Sequence, residues 1–239
     1  MSGSVPWRAK LRAFGAHLLI SVAAFGAIIA WTVWLWYPPP FFWIDGGLQV
    51  TLLAAAIDLG AGPLLTLVVY RPKKPGLVMN LAVIAAVQAG ALAWGVQTLY
   101  TQRPVLAAFI GHKQNRFFPV TAEQARGGKR SLEELRALSA ARPPLVFIDL
   151  PEHDSDAVRL LTSASDSVLR QTDRFQPLDA ERLARIAKAS RTPPGYANRA
   201  DAKALAFIPV VGRFGDATLA LSREDGSLVD VVALDVRLR

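Results

Sequence analysis

Apolar positions are gathered toward the N-terminal end of this chain in three runs, about 17–37, 48–70 and 77–100, and beyond residue 101 they thin into short alternating or helically spaced sets. At 1.5 Å per residue, about 20 apolar residues cross a hydrocarbon core of about 30 Å, so each run is long enough to span a bilayer. The pattern predicts three transmembrane α-helices. The first run is longer than the roughly 7–15-residue core of a cleavable signal peptide. It ends in Trp34, Trp36 and Tyr37 instead of small residues, and is therefore expected to remain as an anchor.

The polar-rich remainder reads as a C-terminal α+β domain with a mostly antiparallel sheet. Val105–Ile110 and Arg116–Val120 alternate as strands across the His112–Asn115 turn, and Leu145–Leu150 follows the stop Arg142-Pro-Pro144. Phe207–Gly212, Ala217–Ser222 and Leu228–Val236 complete the set, the last two joined by the turn signal Glu224-Asp-Gly-Ser227. Ser131-Leu-Glu-Glu134 is a capping box opening a helix to about Ala141, residues 154–170 have helical spacing, and Asp179 caps a helix through Ser190. Five or six strands backed by two or three helices are expected. The boundaries are a basic head over 1–16, a three-helix membrane domain over 17–100 and the α+β domain over 101–239.

Charge adds an orientation. The net charge is +8, and the basic residues beside the membrane sit in two short segments, Arg8, Lys10 and Arg12 in the head and Arg71, Lys73 and Lys74 between the second and third runs. Short Lys/Arg-rich segments stay in the cytoplasm. The N-terminus is then cytoplasmic, and an odd number of crossings puts the α+β domain on the far side, in the periplasm of a bacterial inner-membrane protein. Although the pI is 10.2, basic residues after position 100 are interleaved with acids, which argues against a nucleic-acid partner. There is no cysteine, so disulfides and thiolate metal sites are excluded. His17, His112 and His153 stand far apart, without metal-ligand spacing. No Walker loop, dinucleotide fingerprint or nucleophile elbow occurs, and no cofactor or catalytic residue is expected. Glu152, Asp154 and Asp156 are carboxylates at a helix N-terminus, complementing its dipole.

Between the first two runs stands Tyr37-Pro38-Pro39-Pro40-Phe41-Phe42, then Asp45-Gly46-Gly47. Three prolines favour a stiff polyproline II strut that cannot continue a helix. The aromatic residues around it either anchor the segment at headgroup level or form a platform that presents Phe41 and Phe42 to a partner.

The second run carries one carboxylate, Asp58, near its middle. A charged carboxylate facing lipid there costs at least ~2.5 kcal/mol, so Asp58 is expected to be protonated or to face protein. Gln88 lies at a similar depth in the antiparallel third run and is a candidate donor to it. Pro63 lacks an amide and opposes the carbonyl of Leu59, predicting a kink beside Gly60 and Gly62. Ala23 and Ala27, Ala56 and Gly60, Ala86 and Gly90, and Ala91 and Gly95 have small-xxx-small spacing. A kinked helix with a carboxylate and glycines makes a notch, filled either by the third run or by a helix of another protein.

These residues carry a resemblance. WYPPPFF with a Gly pair after it, DLGAGPLLTLVVYRPKKP, LAVIAAVQ and LYTQRPV, in that order, followed by FIPVVGR and a DATLAL…DGSLVDVVAL hairpin, resemble the type IV pilin accessory proteins of the TfpX/TfpZ type. Positions matching the family's motif are Tyr37 to Phe42, Gly46, Gly47, Asp58, Gly62 to Thr66, Lys73, Lys74, Arg103 and Pro104. The resemblance implies a non-enzymatic partner of one type IV major pilin, affecting pilin stability, pilus assembly or the balance with retraction. It supplies no catalytic residues. The candidate partner-binding positions are then Asp58, Gly60, Gly62, Pro63 and Gln88 in the membrane, with Pro38, Pro39, Pro40, Phe41 and Phe42 at its surface; the remaining partner is membrane lipid. The alternative is a membrane enzyme acting on a lipid-linked periplasmic substrate, for which the outer loop offers only Asp45 as an acid.

Overall fold

The computed structural model describes residues 7–111, 114–150 and 168–236. Most of the helix expected over 154–170, together with His112, His153, Glu152, Asp154 and Asp156, lies outside the described residues. Two compact units emerge: one holds the chain up to Leu35 and Leu48–Tyr100, the other holds Trp36–Gly47 with everything from Thr101 onward.

In the first unit, α1 (Trp7–Trp36), the helical stretch Gly47–Val69 and α5 (Leu77–Gln102) are each long and apolar enough to cross a membrane. Their large side chains point outward, Trp34 85% and Val78 81% exposed, as suits helices whose solvent is lipid. Helix α1 takes in Trp7–Gly15 of the basic head, because nothing there breaks it before the apolar run begins. Lys10 is buried there and donates from Nζ to the carbonyl of Val68, 3.0 Å away. It thereby satisfies one of the orphan carbonyls at the end of the second helix, where a cation also meets the negative end of the dipole. His17 and Thr66 share a hydrogen bond of 2.6 Å between Nδ1 and Oγ1. The middle helix consists of α3 (Gly47–Ala55), a π turn over Ala56–Ala61 and α4 (Gly62–Val69).

In the second unit the strands are β1 (Pro104–Ile110), β2 (Arg116–Thr121), β3 (Leu145–Ile148), β4 (Phe175–Gln176), β5 (Leu205–Val211), β6 (Gly215–Ser222) and β7 (Leu228–Val236). They form one sheet in the order β4-β3-β1-β2-β5-β6-β7. The sheet is mostly antiparallel; β1 with β3 and β2 with β5 are the parallel pairs. β4 was not expected, since two residues carry no alternation to read.

Alternation assigns the faces. Ala107 and Phe109 of β1 go into a core with Phe117, Phe147, Ile208 and Leu219. Leu106, Ala108 and Ile110 go to the other face with Val120, Val146 and Phe175. The first face is covered by α8 (Ala180–Lys188) through Ile186 and by the four-residue turn α2 (Phe41–Ile44); the second is covered by α6 (Ala122–Arg126) and α7 (Leu132–Ala137). The capping box at Ser131 forms as read, with Glu134 N–H donating to Ser131 Oγ at 3.2 Å and Ser131 N–H to Glu134 Oε2 at 2.7 Å. That hydrogen bonding holds the Glu134 carboxyl below its ordinary value. α7 stops short of Ala141 because Ser139 Oγ takes the amides of Ala141 and Leu145. A second capping box, Thr121 with Gln124, opens α6.

The 36–47 segment corrects two expectations. It forms a turn instead of an extended strut, because Phe41 has an amide and donates it to the carbonyl of Pro38 at 3.0 Å. Phe41 is fully buried in the sheet core and Phe42 is 7% exposed. These rings fill the domain and are not presented to a partner. Burial also pushes the Tyr37 hydroxyl well above its ordinary range, with Asp45 adding to the rise.

Candidate functional site

The polar centre of the membrane helices is built on one register change. Pro63 has no amide, and the chain upstream of it widens into the π turn, where the Gly62 N–H reaches back five residues to the carbonyl of Ile57. In that register the amide missing at Pro63 is the one that would serve the carbonyl of Asp58. Gln88 of α5 supplies the missing hydrogen from Nε2 at 3.2 Å.

This arrangement explains Gly62. A Cβ there would stand 2.0 Å from Gln88 Nε2 and 2.3 Å from its Cδ, so only glycine lets the amide approach. Asp58, Gly62, Pro63 and Gln88 are brought together as one constellation. Gly60 is not part of it: a Cβ there would meet nothing within 4 Å among the described residues. A Cβ on Gly95 of α5 would stand in ordinary van der Waals contact with Ala54 of α3, 3.7 Å away.

The Gln88 amide goes to the main chain of Asp58, leaving the carboxyl group itself to be explained. Asp58 is 5% exposed, and neither carboxylate oxygen has a hydrogen-bond partner among the described residues. Thr51 Oγ1, seven residues earlier on the same helix, is in the same condition. A buried polar group without a partner costs roughly 1–3 kcal/mol, more if charged. Chemically, the site is an acceptor inside an apolar helix, suited to a proton or to a donor carried by another helix.

Pro38, Pro39, Pro40, Phe41 and Phe42 belong to the other unit. What the sequence missed there is the pair Asp45 and Arg213. Arg213 donates from Nε to Asp45 Oδ1 at 3.0 Å and from Nη2 to the Asp45 carbonyl at 2.7 Å. The Phe214 N–H donates to the carbonyl of Ile44 at 2.8 Å. A Cβ on Gly212 would lie 2.3 Å from that same carbonyl oxygen. The β5–β6 turn thus clasps the 36–47 segment. Its one sequence signal was the glycine of FIPVVGR.

No family model matches the chain, and no solved structure matches it. Three curated relatives do, all from Dichelobacter nodosus. A fimbrial assembly protein of serogroups C1 and C2 is 30% identical over 97 residues, which is 40% of this chain and 74% of that relative. The fimbrial assembly proteins of serogroup E1 and serogroup I are 31% and 30% identical over 97 residues, and the chain spans 38% of the length of each. With nearly three-quarters of one relative covered at this identity, the chain belongs to the family of the fimbrial assembly proteins.

Proposed function

We propose that this chain is a non-enzymatic accessory protein of type IV pilus assembly, of the TfpX/TfpZ type, that binds a major pilin in the bacterial inner membrane before the subunit is polymerised. The observation that carries the reading is the Asp58 carboxyl group, enclosed in an apolar helix at a π turn, neither of whose oxygens accepts a hydrogen bond among the described residues while the neighbouring Gln88 amide goes to the main chain. Such a group is stabilised by a donor from outside the chain, and the family's name supplies the class of partner, a pilus component. A pilin awaiting assembly is held in the membrane by one apolar helix, with its folded head outside. The membrane unit offers a polar receptor for the helix, and the sheet unit offers surface for the head. Two modest contacts on one tethered pair act at raised effective concentration, so neither needs to be tight. The basic segments Arg8–Arg12 and Arg71–Lys74 favour a cytoplasmic N-terminus, which places the sheet unit in the periplasm with the head.

A photocrosslinker at Ala61 or Leu65, both exposed on the middle helix, is expected to capture pilin in piliated cells. Asp58→Ala is expected to lower surface pili several-fold while the protein's own level holds. Absence of pilin adducts together with normal piliation in Asp58→Ala overturns the reading. Normal pili beside an altered pool of lipid-linked intermediates would identify the membrane enzyme instead.

A further inference from the structure

One end of the membrane unit carries charge of a single sign. The chain has no Asp or Glu before Asp45 and none between Asp58 and Glu123. Asp45 and Glu123 belong to the sheet unit, and Asp58 stands ten residues before Val68, about 15 Å back along the middle helix. Arg8, Arg12, Arg71, Lys73 and Lys74 therefore have no acid of their own unit beside them. All five are exposed, and no side chain among them makes an ion pair or a hydrogen bond among the described residues.

The bond between Lys10 and the Val68 carbonyl decides where these cations stand. At 3.6 residues per turn, Arg8 and Arg12 lie about 40° from each other and about 160° from Lys10 around the axis of α1. Lys10 is buried and turned toward the middle helix, so Arg8 and Arg12 turn away from it. They stand half a turn to either side of Lys10, and so within a lysine's reach of the level at which the middle helix ends. The bond between His17 and Thr66, deeper in the same pair of helices, holds that register. Arg71, Lys73 and Lys74 stay at this level too, because the 71–76 loop is folded into tight turns. The Lys74 N–H donates to the Arg71 carbonyl and the Leu77 N–H to the Lys74 carbonyl, each at 3.2 Å.

The neighbours of these cations favour one class of anion. Trp7 and Leu11 are exposed on α1 beside Arg8 and Arg12, and Val78 and Met79 are exposed in the first turn of α5, just past the loop. Large apolar side chains next to unpaired cations suit the boundary of a bilayer, with acyl chains on one side and phosphates on the other; against a soluble acidic partner they would stay in water. Basic segments beside membrane spans attract anionic lipid for this reason. Arg8 and Arg12 face away from the middle helix while the loop continues it, so the two sets meet separate head groups.

We propose that this end of the membrane unit is a surface for anionic phospholipid, taking glycerol-type head groups by their phosphates at two places, on Arg8 with Arg12 and on Arg71, Lys73 and Lys74. Ethanolamine and choline head groups carry the same phosphate but bring an ammonium against the cations, so net charge discriminates among them. The full-length protein, purified in mild detergent and supplied with equal amounts of palmitoyl-oleoyl phosphatidylglycerol, phosphatidylethanolamine and phosphatidylcholine, is expected to retain the first at least fivefold over either other by native mass spectrometry. Arg8→Gln with Arg12→Gln, and Lys73→Gln with Lys74→Gln, are each expected to at least halve that ratio with the thermal midpoint unchanged. Removing two exposed cations of the sheet unit instead, Arg136→Gln with Lys203→Gln, is expected to leave it as it was. Equal retention of the three lipids by the unaltered protein overturns the proposal, as does a ratio that neither membrane pair lowers. A ratio that the sheet-unit pair lowers as much overturns it too, because net charge alone would then set it. Release of the bound lipid by inorganic phosphate would assign the cations to a free anion, and release by a short oligoglutamate peptide would assign them to an acidic protein; either result overturns the proposal.

Discussion

Asp45 and Arg213 share a bond unequally: the carboxylate side chain is 3% exposed and the guanidinium side chain 45%. Removing the partner that water can reach is therefore worse than removing the one it cannot. Arg213→Ala strands a buried carboxylate and is expected to cost the sheet unit an amount at the lower end of about 3–5 kcal/mol. Asp45→Asn keeps an acceptor for Nε and is expected to cost less; calorimetric melts of the two variants check the order. Burial raises the Asp45 carboxyl above its ordinary value, and Arg213 pulls it partly back. A carboxyl that holds its proton more tightly when folded contributes stability that is complete below its unfolded value of about 3.9. That contribution is lost as pH rises through the folded value. Melting points measured upward from about pH 4 should therefore fall most steeply in Arg213→Ala and least in Asp45→Asn. This pair was beyond the reach of sequence: its members lie 168 positions apart, and neither sits in a local pattern. Ser131 with Glu134 was legible because both halves of the box lie within one turn.

Among the elements, the middle helix shows how far length and composition go. The apolar runs were readable because a membrane imposes a length, and Asp58 and Gln88 stood out as polar breaks in them. The π turn was not readable, since it depends on whether the Gly62 amide reaches back four residues or five. That register predicts an interaction between two substitutions. Gln88→Leu removes the donor to Asp58's carbonyl and is expected to cost about 1–3 kcal/mol. Pro63→Ala supplies an amide that can serve the same carbonyl, so in that background Gln88→Leu is expected to cost little. A double-mutant cycle read by thermal unfolding in detergent checks this; equal costs in both backgrounds would show that Gln88 is not replacing the amide missing at Pro63. Gly62→Ala, whose methyl pushes the Gln88 amide aside, is expected to cost about as much as Gln88→Leu.

For the whole molecule, two folding regimes share one chain, and the border between them is not where hydropathy draws it. Residues 36–47 lie between two apolar helices in sequence but are enclosed by the sheet unit, because the Ile44 carbonyl and the Asp45 side chain find their donors on the β5–β6 turn. The proposed orientation predicts that alkaline phosphatase fused after Arg239 is active, whereas a fusion in the 71–76 loop is inactive; the reverse pattern would invert the molecule in its membrane. Within the sheet, every neighbouring pair except two is joined by several rungs. β3 and β4 share two, and β2 meets β5 through the single pair Phe117 and Val210. Under the proposed function, a subunit pulled during assembly pulls the sheet unit in return. Along the line between Phe117 and Val210, β4-β3-β1-β2 and β5-β6-β7 are joined by one rung and by the apolar core that crosses it, so side-chain packing bears there the load that rows of hydrogen bonds bear between the other long strands.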